Sequence, residues 1–192
     1  MPVDVGEAVY VSRAIGASEA HESCRELLDL WHRRCAGRPV PAPSDFPPED
    51  LVAFLGRLCL FDVREEPLRF TLRLDGSEIS ERSGQDLTGR DILDLEPQPY
   101  ARMVFDALSE ALTTGRPVIH QCVAQIQSRW YYQRVTLPLS TDGINIDRMM
   151  TYAYVEGTSS DVLAAAKRGD ETARARLIPE DRWALEHGGT LA

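Results

Sequence analysis

Pro99-Tyr100-Ala101-Arg102-Met103-Val104-Phe105-Asp106-Ala107-Leu108-Ser109-Glu110-Ala111-Leu112-Thr113-Thr114-Gly115 is the stretch on which the fold turns. Tyr100, Met103, Val104, Ala107, Leu108, Ala111 and Leu112 recur at helical spacing and form one apolar stripe. Gly115 and Pro117 end the helix. It is the clearest helix of the chain, and segments of a different period flank it on both sides.

On its N-terminal side, Leu58 to Val63 reads as a strand that is apolar on both faces. Leu68, Phe70, Leu72 and Leu74 alternate with Arg69, Thr71 and Arg73, which predicts a second, half-buried strand. Glu65-Glu66-Pro67 is the turn of the hairpin. From Asp75 to Pro97, Gly76, Gly84 and Gly89 punctuate short helical turns. On the C-terminal side three more strands are expected: Val118 to Ile126, Trp130 to Leu139 and Asp147 to Glu156. Ser128-Arg129 and Thr141-Asp142-Gly143 suit hairpin turns.

Further out, residues 1–17 carry no convincing periodicity and read as a mobile arm. Residues 18–56 read as a helical extension. Its helix starts near Ser18 or Glu19, carries Leu27, Leu30, Trp31 and Cys35 at helical spacing, and stops at Gly37. Five prolines at positions 39, 41, 43, 47 and 48 then exclude regular helix until a short one through Leu51, Phe54 and Leu55. Residues 57–156 form the sheet domain, and 157–192 form a tail of one or two short helices, one starting after Ser160-Asp161.

Two strands, short helices, one long helix and three antiparallel strands follow the order of a PAS domain. The chain resembles the stand-alone bacterial PAS-like proteins that carry a helical N-terminal extension. The residues that carry the match are the Leu30-Trp31 helix, Arg38-Pro39-Val40-Pro41, Phe70 to Gly76, and above all Gly84-Gln85-Asp86-Leu87-Thr88-Gly89-Arg90. Ala42-Pro43 departs from the family, which often has a basic residue after the second proline. The resemblance implies an α+β fold: a five-stranded antiparallel sheet in the order 2-1-5-4-3, helices over one face, and a cavity between them.

The residues themselves agree, because a sheet with one apolar face must bury it. Phe70, Leu72, Leu74, Val135, Leu137, Met150 and Tyr152 are expected to meet Met103, Val104, Ala107 and Leu108. The space between them is either filled core or a ligand pocket. Its candidate residues are Phe70, Leu72, Met103, Val104, Leu108, Gln133, Val135, Leu137, Met150 and Tyr152, with Tyr154 a further polar group. Strand parity sends Thr71 and Arg134 to the outer face. Parity also turns Trp130, Tyr132 and Thr136 outward, so Trp130 and Tyr132, with Leu27, Leu30 and Trp31 of the first helix, are the candidate contact surface. That helix either covers this face or pairs with a second copy.

Charge and composition narrow the function. The net charge is −9, from 21 basic and 30 acidic side chains, which disfavours nucleic acid. Arg33, Arg34 and Arg38 are the one tight basic group. No apolar run approaches a membrane span, and residues 1–17 lack the features of a signal peptide, so a cytoplasmic protein is expected. The four cysteines show no CxxC pair and no disulfide framework. The long helix holds no histidine for haem. The segment Asp75 to Pro97 holds no cysteine for flavin photochemistry, so no cofactor is assigned.

His21, Cys24, His32 and Cys35 share an arc of the first helix, but their two His-x-x-Cys pairs stand about 16 Å apart, and no metal site is assigned. Neither a catalytic triad nor a phosphate loop is evident. The expected function is a non-enzymatic sensory module that binds a small ligand or a partner protein, as a homodimer, and signals in trans, since no output element is found in the chain. The alternatives are a cone-fold isomerase or hydratase, which leads with its long helices, and a dimerisation adaptor with a filled core.

Overall fold

The computed structural model describes residues 9–126 and 128–187. In chain order the elements are β1 (Tyr10–Ala14), α1 (Glu22–Cys35), the single turn α2 (Pro48–Leu51), β2 (Leu58–Glu65), β3 (Leu68–Leu74), α3 (Ser77–Ser83), α4 (Gln98–Thr114), β4 (Val118–Ile126), β5 (Ser128–Leu139) and β6 (Arg148–Thr158). The helices α5 (Ser159–Lys167), α6 (Glu171–Arg176) and α7 (Pro179–His187) follow.

All six strands join one antiparallel sheet, in the order β1-β4-β5-β6-β2-β3. Its last five strands, read from the β3 edge, reproduce the expected order. The sixth strand corrects the reading of residues 1–17 as a mobile arm. Residues 1–8 lie outside the described residues, but Tyr10 to Ala14 pair with Ala124 to His120 along β4. The segment is too short, and too exposed on its outer side, to show a period. Neighbour pairing alone makes it a strand.

The second correction concerns the layers. Helices cover both faces of the sheet, but the first helix lies on the face of Val135 and Tyr152 expected to meet α4, not on the face of Trp130 and Tyr132. Along β5, Tyr131, Gln133, Val135, Leu137 and Leu139 face one way and are buried; Tyr132, Arg134 and Thr136 face the other way and are buried too. The first face meets α1: Leu27, Leu30 and Trp31 pack with Val135, Leu137, Leu139, Met150, Tyr152 and Leu58. The tail helices continue the same layer, with Val162, Leu163, Leu177 and Ile178 on Val123 and Tyr131. The second face meets α4, whose Val104, Leu108 and Ala111 pack with Phe61, Phe70, Leu72 and Met149.

Local chemistry sets the boundaries. His21 caps α1, its ring nitrogen accepting from Ser23 N at 3.2 Å. The helix therefore starts at Glu22 and not near Ser18, where there is a 3-10 turn over Ala17–Glu19. The start of α5 is set by Thr158, not Ser160: Asp161 N donates to the Thr158 hydroxyl, and the Asp161 carboxylate accepts from Thr158 N. Among the described residues the tail holds three helices where one or two are expected. Ser128 and Arg129 are not a turn but the first residues of β5, paired with Ile126 and Gln125.

A bulge lies opposite Leu60 and Phe61, which pair with Leu74 and Leu72, so Arg73 is the extra residue. Leu74 is thereby shifted to the other face and is 38 % exposed, away from α4.

Two arginines of the basic group at the end of α1 are paired within the chain. Arg34 pairs with Asp50 of α2 and Arg38 with Asp45 of the proline-rich segment. That segment crosses the end of β5, where Ser140 N donates to Pro41 O at 3.0 Å.

Candidate ligand cavity

The motif Gly84 to Arg90 has a structural task. Gly84 caps α3 with φ 76°, and Gly89 turns the chain with φ 86°, both in the left-handed region that favours glycine. Gly89 N then donates to Leu72 O at 2.6 Å, and Leu72 N donates to Arg90 O at 2.9 Å. The segment so adds two backbone bonds to the outer edge of β3. Asp75 ties the other end, its carboxylate accepting from Leu87 N at 3.2 Å. At Gly76 a Cβ would stand 2.6 Å from Gly56 O, so only glycine lets these two backbones pass. The result is a short helix, α3, held across the sheet beside α4.

Under α3 lies a cavity of ≈100 Å³. Ile79, Arg82 and Ser83 come from α3, Leu87 from the motif and Tyr100 from α4. The sheet supplies Ala124 from β4, Trp130 and Tyr132 from β5, and Ala153 and Val155 from β6. The two alanines leave room where larger side chains would close the space. Arg82 lies over the indole of Trp130, with its guanidinium carbon 4.7 Å from the ring centre. Behind Tyr132, Arg134 donates from Nη2 to the tyrosine hydroxyl at 2.7 Å.

The expected pocket residues do not meet here. Phe70, Leu72, Val104 and Leu108 are together in the α4 core, and Met103 packs beside Cys122, Ala124 and Tyr132. Val135, Leu137, Met150 and Tyr152 lie on the opposite face, under α1. Gln133 is also on that face, accepting from His21 N at 2.6 Å and donating to Gln121 at 3.3 Å and Glu156 at 3.1 Å. None of the ten lines the cavity. Trp130 and Tyr132, expected on an outer contact surface, line it instead, and Arg134 turns inward beside them. Leu27, Leu30 and Trp31 are buried within the chain, and the Trp31 indole donates to Pro138 O at 2.9 Å.

The cause is parity. When both faces of a strand are covered, Tyr131 and Tyr132 are both buried, and alternation no longer says which face meets which helix. One cue was available: Ile79, Arg82 and Ser83 fall on one side of a short helix. The small residues Ala124 and Ala153 carried no signal of their own.

Other candidate groups are accounted for by packing. Burial pushes the thiols of Cys24 and Cys59 up to about 12, and raises Cys122 as well. His21 stacks on Tyr154 with ring centres 3.5 Å apart. Among the described residues, no cluster of three or more His, Cys, Asp and Glu is placed to hold a metal ion, and no helix is long and apolar enough to cross a membrane.

With the sheet order, the short-helix segment and the cavity in place, the family follows. The family model described as PAS domain matches residues 19–150. The chain belongs to the PAS domain family. PAS domains are sensory and regulatory modules, typically without catalytic chemistry, and they commonly mediate protein contacts. The match starts within the 3-10 turn before α1 and ends within β6. No curated protein and no solved structure matches the chain.

Proposed function

We propose that the chain is a sensory module that takes a small molecule into the cavity beneath α3 and reports it to a partner protein in trans. The observation that carries this reading is the cavity itself. It lies between the sheet and the short helices of a PAS domain, walled mostly by apolar side chains, with Arg82 and Ser83 among its few polar groups.

A route outward is also supported. The helix α3 rests on the turn Leu55–Arg57, where Arg57 Nε donates to Glu78 at 2.6 Å. Val52 and Leu55, beside that turn, are 68 % and 43 % exposed. A ligand that shifts α3 therefore alters a surface that presents apolar groups to a partner.

The test is a metabolite panel read by melting temperature, alongside a pull-down with the ligand present and absent. The expected result is a stabilising compound whose effect is lost in Ala153→Leu, and a partner whose capture depends on that compound. An unchanged melting temperature across the panel, together with a pull-down that recovers nothing, removes the reading.

A further inference from the structure

We infer that the ligand of this cavity is a compact amphipathic anion, a monocarboxylate on a body no larger than one ring. This deepens the preceding reading and rests on it.

The chain is acidic overall, at −9, yet the residues lining the cavity include no Asp and no Glu. The one charged side chain in the lining is Arg82. A second cation, Arg134, lies directly behind the lining residue Tyr132 and is only 4 % exposed. Exposed arginines such as Arg25 and Arg33 also stand without a carboxylate, but the other arginines that are not exposed, Arg34, Arg57, Arg69, Arg129, Arg148 and Arg176, all have carboxylate partners. Among the described residues Arg82 and Arg134 have none within the 4.0 Å of an ion pair. Each also keeps a buried nitrogen without a hydrogen-bond partner, Nε of Arg82 and Nη1 of Arg134.

A buried cation without a counter-ion is costly, and folded chains rarely keep one. Arg134 is such a cation, and the half-buried Arg82 adjoins the same small space. An anion entering it supplies what the fold withholds.

Hydrogen-bond direction points the same way. Arg134 donates to the oxygen of Tyr132, and the hydroxyl's own proton faces the Cys122 sulfur, a weak acceptor that a carboxylate outcompetes. A carboxylate at the Tyr132 end accepts that proton and lies against the guanidinium behind it. The rest of the ligand then runs between Ile79, Leu87, Val155 and the indole of Trp130 toward Arg82. Size bounds the body: a closed apolar cavity of about 150 Å³ accommodates benzene, and this one is ≈100 Å³ but partly open to solvent, so one ring is the upper limit. An extended acyl chain does not fit.

The probes are benzoate, benzyl alcohol and inorganic sulfate, titrated at constant ionic strength into the full chain by calorimetry and by chemical shifts of the Trp130 indole. Benzoate is expected to bind about 10- to 100-fold tighter than benzyl alcohol, the range of a hydrogen bond to a charged group. Arg134→Met is expected to abolish that preference while leaving the alcohol unaffected. Should Arg134→Met fail to fold, Tyr132→Phe keeps the ring and the guanidinium and is expected to weaken benzoate about 10-fold. Ala153→Leu, which fills the cavity, should remove both aromatic probes.

Equal binding of benzoate and benzyl alcohol overturns the anion but leaves the cavity as a ligand site. Sulfate binding as well as benzoate overturns the apolar body. Benzoate binding that survives Ala153→Leu places the site elsewhere and overturns the inference. Binding of neither aromatic probe overturns the cavity reading itself.

Discussion

The two faces of this sheet are built from the same strands but closed in different ways. Under α1 and the tail, side chains interlock and the polar groups find partners. Trp31 bonds to Pro138 O, the Tyr152 hydroxyl donates to Ser23 at 3.2 Å, and Asp181 is wholly buried yet accepts from Arg129, Tyr131 and Ser159. Under α3 and α4 the fit is looser. Of seven buried side-chain atoms without a partner among the described residues, five belong to Arg82, Ser109, His120, Arg134 and Thr136, on or facing that layer. The cavity lies in the same layer. One face is a structural core; the other leaves polar capacity unspent beside an empty space, which is where a ligand has something to gain.

The contrast breaks most readily at its tightest point. Asp181→Ala leaves Arg129, Tyr131 and Ser159 facing one another without their shared acceptor, and is expected to cost about 3–5 kcal/mol in urea unfolding. A loss below about 1 kcal/mol would mean that the tail is not part of the closed core. Leu137→Ala, at a fully buried position under α1, is expected to cost about 2–5 kcal/mol by the same measurement. The mirror test on the other face is Ala153→Leu. If the space there is real, the extra atoms enter it and stability changes by less than about 1.5 kcal/mol. A larger loss would show that the two faces are equally packed.

The smallest expected effect is a pH dependence. Burial raises the Glu156 carboxyl above its ordinary value, with Arg176, Gln121 and Gln133 acting against the shift. An acid whose folded pKa is raised takes up its proton more readily in the folded state. Glu156 therefore weakens the fold at neutral pH, and its share of stability is recovered as pH falls toward the unfolded value of 4.5. The stability of the native chain relative to Glu156→Gln should rise between pH 7 and pH 5, read by parallel urea titrations. A flat or falling difference would place Glu156 in water or make its ion pair with Arg176 dominant.

Much of the fold was legible because it rests on local patterns. The stripe from Tyr100 to Leu112 has one apolar face whatever it meets, and α4 begins within a residue of expectation. Phe70 to Leu74 alternates, and the glycines at 84 and 89 mark positions that require positive φ. The site was less legible, because it depends on which of two buried faces carries which helix. Tyr131 and Tyr132 are chemically alike, and nothing local distinguishes the one that packs against the tail from the one that lines the cavity. Gln133 and Arg134, which look like surface residues, are both inside, each on its own face.

The sequence by itself determined the order of the elements from β2 to β6 and the segment that must turn at Gly84 and Gly89, since period and backbone freedom are properties of short stretches; the strand order came from the resemblance. Only the tertiary structure decided that Tyr10 to Ala14 is a strand, that α1 covers the face with Val135, and that Arg134 is buried behind Tyr132 on the other face. Each of these depends on a partner more than 80 residues away in the chain, or on the opposite side of the same strand. Period-2 alternation states that two faces differ; it does not state what covers either one.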